Sequence, residues 1–197
     1  MIDSDYIRGA LSHLEAHQRP FAGASPIRLA PGLSDAEISL IEQRYQFAFP
    51  PDLRLFLQTA MPVTDDYRDF PDWRSDPPAI VNQRLEGPFL DLWASIRDIP
   101  DYWSNQWGER PHSNDMALAI ARQYLTDIPK MIPVYRHRYI PASPALPGNP
   151  VFSIVAYDII HYGHDLPSYL HNEFAVPNPY SVPTQPREVP TWSALVR

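Results

Sequence analysis

The sequence contains no cysteine, and only seven of its 197 residues are glycine. Without cysteine the chain can form neither disulfides nor thiolate metal sites, which excludes the disulfide-rich class of small secreted scaffold. The few glycines form neither a G-x-x-x-x-G-K-[ST] nor a G-x-G-x-x-G pattern, so no loop typical of nucleotide cofactor binding is present. No G-x-S-x-G motif is present either, and the sequence therefore offers no hydrolase nucleophile elbow.

Long apolar runs are also missing. No stretch of 18 apolar residues occurs, and the first twenty residues carry Asp3, Asp5 and Glu15 without the apolar centre of a signal peptide. We therefore expect no membrane span and a cytoplasmic location. The formal net charge is -7 and no basic cluster is visible, so nucleic acid is not an expected partner. The negative charge would instead attract a basic protein.

The length is typical of one domain, and we expect residues 1–197 to form it. The 24 prolines are about twice the average frequency and predict segments that end abruptly. Residues 1–30 are predicted to form a helical N-terminal extension, and residues 175–197 a proline-rich tail that is extended rather than packed. The first helix should be capped by Asp3 or Ser4 and stop before Pro20. Its apolar stripe consists of Ile7, Ala10, Leu11 and Leu14.

A capping box predicts the next helix. The Ser34 hydroxyl can accept a hydrogen bond from the N–H of Glu37, while the Glu37 carboxylate accepts one from the N–H of Ser34. This pattern places a helix from Asp35 to about Tyr45. Another helix is predicted to begin at Pro51, because the first turn of a helix tolerates proline, and to end at Met61-Pro62. Its apolar stripe consists of Leu53, Phe56, Leu57 and Ala60.

Three more helices and a sheet follow from the hydrophobic pattern. Two helices show one apolar stripe each, and the second of them should be capped by Asn114. The stripes are Phe89, Leu92, Trp93 and Ile96, and Ala117, Ile120, Ala121 and Tyr124. Segments 130–140 and 150–162 are rich in β-branched and aromatic residues and predict strands of one sheet. Asp165 can cap a last helix. These elements predict an α+β fold.

The stretch "DIIHYGHDLPSYLHNEF", residues 158–174, has two interpretations. In the first it is strand, turn and helix: Asp158 closes a turn, His161 lies on a half-buried strand and Asp165 caps the helix. This interpretation needs no metal and no cofactor. In the second it forms a metal-dependent hydrolase site from His137, Asp158, His161 and His164. A glycine separates the last two histidines, so the helical face used by H-E-x-x-H sites is not available.

The loop "TDDYRDFPDWRSD", residues 64–76, combines aspartates with aromatic residues and has neither a helical nor a strand period. Exposed aromatic rings serve as anchors of protein interfaces, and carboxylates attract cationic partners. Alternatively, the aromatic residues fold back as a lid over the core, and the aspartates only form turns. As an interface, the loop would bind through Asp65, Asp66, Tyr67, Asp69, Asp72 and Trp73.

Two stretches resemble the Smi1/Knr4 family of the SUKH superfamily. The first is "GLSDAEISLIEQRYQFAFPPDLRLFL", in which a capped helix with a Glu leads through an aromatic-Pro-x-Asp step to a second helix. The second is "MIPVYRHRYIP" followed by "GNPVFSIVAYDIIHYGHDLPSYLHNEF", which is similar to a strand pair and closing helix. The resemblance implies a single α+β domain with a central, mostly antiparallel sheet flanked by helices.

The same resemblance implies a protein-binding role without catalytic residues. Bacterial members are similar to immunity proteins that neutralise toxins exchanged between competing cells, and fungal relatives act in cell-wall signalling. We therefore expect a non-catalytic binding module, most specifically a bacterial immunity protein whose partner is a basic toxin. The alternatives are the metal-dependent hydrolase described above and a regulatory scaffold with an endogenous partner.

Overall fold

A computed structural model describes residues 2–17 and 25–196. It has an α+β fold with two antiparallel sheets, one of two strands and one of four in the order β3-β4-β5-β6. The elements are α1 (Ser4–Ala16), β1 (Arg28–Pro31), α2 (Asp35–Tyr45), α3 (Pro51–Thr59), β2 (Ala60–Val63), α4 (Pro78–Asp98), α5 (Asn114–Leu125), β3 (Met131–Tyr135), β4 (Arg138–Pro141), β5 (Val151–Val155), β6 (Asp158–Gly163) and α6 (Leu166–Phe174).

The two helices with the clearest start signals begin where the sequence predicts. The N-cap of α1 is Asp3, whose carboxylate accepts a hydrogen bond from the N–H of Tyr6 at 2.8 Å. All four residues of the predicted α1 stripe are buried. The capping box of α2 is complete: Glu37 accepts from the N–H of Ser34 at 2.7 Å, and the Ser34 hydroxyl accepts from the N–H of Glu37 at 3.3 Å. The predicted stop of α1 at Pro20 lies outside the described residues.

Three helix boundaries differ from the prediction, and two short strands were not predicted. The third helix ends at Thr59, and Ala60 begins strand β2 instead of completing the helical stripe. Strands β1 and β2 pair with each other and were not predicted, because four-residue strands are too short to show an alternating pattern. The N-cap of α5 is Ser113, not Asn114. Helix α4 starts at Pro78, well before the predicted stripe, and Gly87 and Pro88 inside it obscured the continuity of the helix in the sequence.

Each segment predicted as a strand is a hairpin of two strands. The tight turns contain Arg136 and Ala156 at positive φ angles of 48° and 51°. Neither turn contains glycine or asparagine, the residues that favour this backbone conformation, so neither reversal could be recognised from residue types. Asp158 pairs with Val155 across the turn at residues 156–157 and so closes that turn, as predicted, and it also opens β6. The prediction that all these residues belong to one sheet is confirmed.

A buried charge pair fixes α6 on the four-stranded sheet. Arg138 of β4 donates from Nε to the Glu173 carboxylate of α6 at 2.7 Å and from Nη1 to the hydroxyl of Ser153 on β5 at 2.6 Å. The Arg138 guanidinium also lies 3.7 Å from the centroid of the Tyr162 ring. The helix begins at the predicted cap, where Asp165 accepts from the N–H of Ser168 at 2.8 Å.

The prediction of an extended, unpacked tail is wrong at its start, where Val176 is buried, and in its second half. Val189, Trp192 and Leu195 are buried with residues of α4, α5 and the sheet in the second of two hydrophobic clusters. The Trp192 indole N–H donates to the carbonyl of Pro129 at 2.8 Å. The proline content indicated backbone stiffness but not burial, which these apolar side chains determine. Among the helices of residues 2–17 and 25–196, none combines the length and apolarity that crossing a bilayer requires.

Candidate binding groove

Three of the six predicted partner-binding residues line one groove of about 700 Å³. It lies between the 64–76 loop, helix α4 and the turns of the two hairpins, and we name it the loop groove. Its volume is within the range of sites that bind other molecules. Its lining consists of Asp66, Tyr67, Arg68 and Asp69 from the loop, Ile80, Gln83, Arg84 and Asp91 from α4, and Arg136, His137, Tyr139, Ile154 and Val155 from the sheet.

Two arginines fix the loop to its neighbours. Arg84 of α4 donates to the backbone carbonyls of Tyr67 at 2.6 Å and Asp69 at 2.9 Å. From the other side, Arg136 donates from Nε to the Asp69 carboxylate at 2.7 Å and from its backbone N–H to the Asp69 carbonyl at 2.9 Å. The backbone next to Tyr67 is therefore held by α4 and by the β3–β4 turn, while the Tyr67 side chain is 53% exposed.

The aspartates of the loop are balanced by arginines of the same chain. Asp65 pairs with Arg28 at 2.5 Å, and Asp66 pairs with Arg68 at 2.6 Å. The hydrogen bonds from the Arg68 side chain, and then that from its backbone N–H, lower the pKa of Asp66 to about 2. Asp69 is only 1% exposed and pairs with Arg136. These three carboxylates thus carry less uncompensated charge toward a partner than the sequence suggested.

Two of the predicted residues have local structural partners. The Asp72 carboxylate accepts hydrogen bonds from the N–H groups of Arg74 and Ser75 at 3.0 Å each, as a turn-forming aspartate does. Trp73 is 8% exposed and Phe70 is 3% exposed, and both belong to the first hydrophobic cluster. This arrangement of Phe70 and Trp73 is the lid that the sequence left as the alternative. Asp65, Asp72 and Trp73 lie outside the lining of the loop groove.

The groove also contains residues that sequence reasoning missed. Asp91 of α4 is exposed, and no basic side chain of residues 2–17 and 25–196 forms an ion pair with it. Val155 is exposed at the end of β5, where the sequence suggested the interior of a continuous strand. The turn that follows Val155 contains no glycine, so the end of β5 could not be recognised from the sequence. Asp91 could have been found from the polar face of the predicted helix.

His137 also borders the groove. Burial lowers the pKa of His137 below its usual value, and the adjacent Arg138 lowers it further. At neutral pH the imidazole is therefore uncharged and can act as both a donor and an acceptor. This leaves the arginines and aspartates as the charged groups of the groove.

The four residues of the hydrolase alternative do not form a metal site. His161 lies on β6 with its ring 4.7 Å from that of Phe152, and its buried Nε2 has no hydrogen-bond partner. His164 Nδ1 is 2.7 Å from the carbonyl oxygen of Pro183. Within the described part of the chain, no group of three or more His, Asp or Glu side chains is placed to hold a metal ion. The metal site that this alternative requires is therefore not assembled there.

Comparison of the chain with protein-family models, with curated proteins and with solved structures found no match. The resemblance to the Smi1/Knr4 family consequently stays a prediction that rests on the quoted residues.

Proposed function

We propose that the chain is a non-catalytic protein-binding module that holds its partner at the loop groove. The observation that carries this proposal is the exposed Tyr67 ring on a backbone held by Arg84 and Arg136. A tyrosine contributes a large contact area at a low cost in side-chain entropy, and a fixed backbone lowers the entropic cost of binding further. Val155, which the sheet contributes to the groove, adds exposed apolar surface to the same site.

The charges of the groove favour a partner with a basic group. Asp66 and Asp69 are already paired with arginines, whereas Asp91 has no such partner in the described residues. A lysine or arginine of the partner would find its complement at Asp91. The net charge of -7 would add a long-range attraction for a basic protein.

The specific form of this role is neutralisation of a basic toxin by an immunity protein. It is supported by the resemblance of the "GLSDAEISLIEQRYQFAFPPDLRLFL" stretch to the Smi1/Knr4 family and by the acidity of the chain. A regulatory scaffold would use the same groove for an endogenous partner. The identity of the bound protein distinguishes the two roles: a toxin encoded by an adjacent gene supports the first, and a housekeeping protein the second.

The test compares matched variants in binding to the product of an adjacent toxin-like gene and to proteins captured from the native host. Tyr67→Ala should lose most of the binding, because an anchor residue contributes about 2 kcal/mol or more. Tyr124→Ala is the control, since Tyr124 is also an exposed tyrosine but lies on α5, outside the groove. Equal binding by the two variants, or loss of binding with Tyr124→Ala alone, would contradict the proposal.

The rates of association test the role of charge. Asp91→Asn should lower the association rate, and the effect should shrink as the salt concentration rises. Asp65→Asn is the control, because the Asp65 carboxylate is already paired with Arg28. An association rate that is equally sensitive to both substitutions would show that the groove does not direct the encounter.

A further inference from the structure

A second concave site lies between α4 and the C-terminal half of α5. It has a volume of about 750 Å³, and we name it the α4–α5 pocket. The buried side chains of Trp192, Leu125 and Met131 close its inner side. Trp192 is held there by its hydrogen bond to Pro129. The α4 side consists of Leu85, Glu86, Pro88, Phe89, Leu90 and Trp93.

The α4 side of this pocket exposes apolar surface to solvent. Leu90 is 56% exposed and Phe89 is 37% exposed, and the Phe89 ring is stacked on that of Trp93 with centroids 6.4 Å apart. Drug-sized ligand sites are typically apolar concavities of this volume with a few polar groups that orient the ligand. The pocket therefore has the shape and the apolar lining of a small-molecule site.

The polar groups of the pocket are mainly cationic. Arg122 of α5 lies with its guanidinium 5.4 Å from the centroid of the Trp93 ring. Among the described arginines, most donate hydrogen bonds to a carboxylate or a carbonyl of the chain, but Arg122 and Arg44 have no such acceptor in residues 2–17 and 25–196. The guanidinium of Arg122 is thus positioned by the indole ring, with its N–H donors free for a ligand.

Lys130 provides a second cation in the same lining. Its ammonium group donates one hydrogen bond to the carbonyl of Tyr45 at 2.7 Å, which leaves two further N–H donors. Glu86 is exposed and is the single carboxylate of the lining, so the two cations exceed it in charge. An apolar surface next to two cations is complementary to a ligand that combines an apolar body with a carboxylate.

We propose that the α4–α5 pocket binds a small aliphatic monocarboxylate. The hydrocarbon chain lies against Phe89, Leu90 and Trp93, and the carboxylate accepts hydrogen bonds from Arg122 and Lys130. This site is separate from the loop groove and does not depend on the function proposed for that groove. Tyr67→Ala should therefore leave binding at the pocket unchanged.

The test measures decanoate binding to the full chain by calorimetry at neutral pH, below the concentration at which decanoate forms micelles. Arg122→Gln should weaken binding about tenfold, which corresponds to about 1.4 kcal/mol. Arg44→Gln is the matched control, since it removes the other arginine without an acceptor among the described residues, at a position outside the pocket. Leu90→Glu, a change at an exposed position, should also weaken binding by placing a carboxylate in the lining.

Decanol and decyltrimethylammonium test the head group with the same hydrocarbon chain. The proposal requires decanoate to bind at least about tenfold more tightly than decanol, and decyltrimethylammonium to bind more weakly than either. Absence of saturable decanoate binding, equal affinity for decanoate and decanol, or equal effects of the two arginine substitutions would each overturn the proposal.

Discussion

Trp73 and Tyr67 belong to the same loop but differ sharply in burial, so truncation of each to alanine should have different consequences. Trp73 is 8% exposed, and its ring lies 5.3 Å from that of Phe49, 6.0 Å from that of Phe47 and 6.2 Å from that of Tyr45. Removal of such a ring from a core costs about 3 to 5 kcal/mol through lost burial and the cavity left behind. Tyr67→Ala should change the free energy of unfolding by at most about 0.5 kcal/mol.

Chemical denaturation of the wild type and the two variants, followed by circular dichroism, measures this difference directly. For a chain of this length, the loss expected for Trp73→Ala corresponds to a decrease in Tm of about 6 to 20 °C. A wild-type stability above about 7 kcal/mol, within the usual range of about 5 to 15 kcal/mol, leaves at least about 2 kcal/mol in the variant, which is enough for the comparison. An unchanged midpoint for Trp73→Ala would refute the reasoning, because the side chain would then not be a lid on the core. A large loss for Tyr67→Ala would equally show that Tyr67 is a structural residue.

Three further predictions concern the polar contacts that define the fold. Ser34→Ala should lower the free energy of unfolding by about 1 kcal/mol in urea denaturation, because the capping box is lost. Arg74, followed by the Ser34 N–H and hydroxyl, lowers the pKa of Glu37 from 4.5 to about 2. Its contribution to stability is therefore present above about pH 4.5 and is lost as the pH falls toward 2, so Glu37→Gln should flatten this part of the stability curve. Glu173→Gln should cost about 3 to 5 kcal/mol, measured by the same denaturation, because it leaves the buried Arg138 without its counter-charge.

Local signals in the sequence predicted most of the helices because the chemistry of a helix start is local. The caps Asp3, Ser34 and Asp165 act on N–H groups within the next turn, and all three occur in the structure. The strands were harder to delimit because their ends depend on pairing with a neighbouring strand and not on a local cap. The reversals at Arg136 and Ala156 depend on pairing between neighbouring strands, and their residue types do not favour positive φ.

The 64–76 loop illustrates how far the candidate site could be predicted. Its irregular structure and the exposure of Tyr67 agree with its composition. The burial of Trp73 depends on aromatic residues of the segment after α2, and the pairing of Asp69 depends on Arg136, which is distant in sequence. Such contacts arise only when the whole chain folds. The sequence could therefore indicate the loop as a site but not which of its charges are compensated.

The proposed interface at the loop groove can be tested most directly by hydrogen exchange of the chain, alone and with the partner identified by the binding experiments above. The proposal predicts slower exchange of the backbone amides of Tyr67, Arg68, Ile154 and Val155 in the complex. Amides of α1, none of whose residues lines the groove, provide the internal reference and should exchange at the same rate in both samples. Protection confined to other segments, with Tyr67, Arg68, Ile154 and Val155 unchanged, would contradict the central claim.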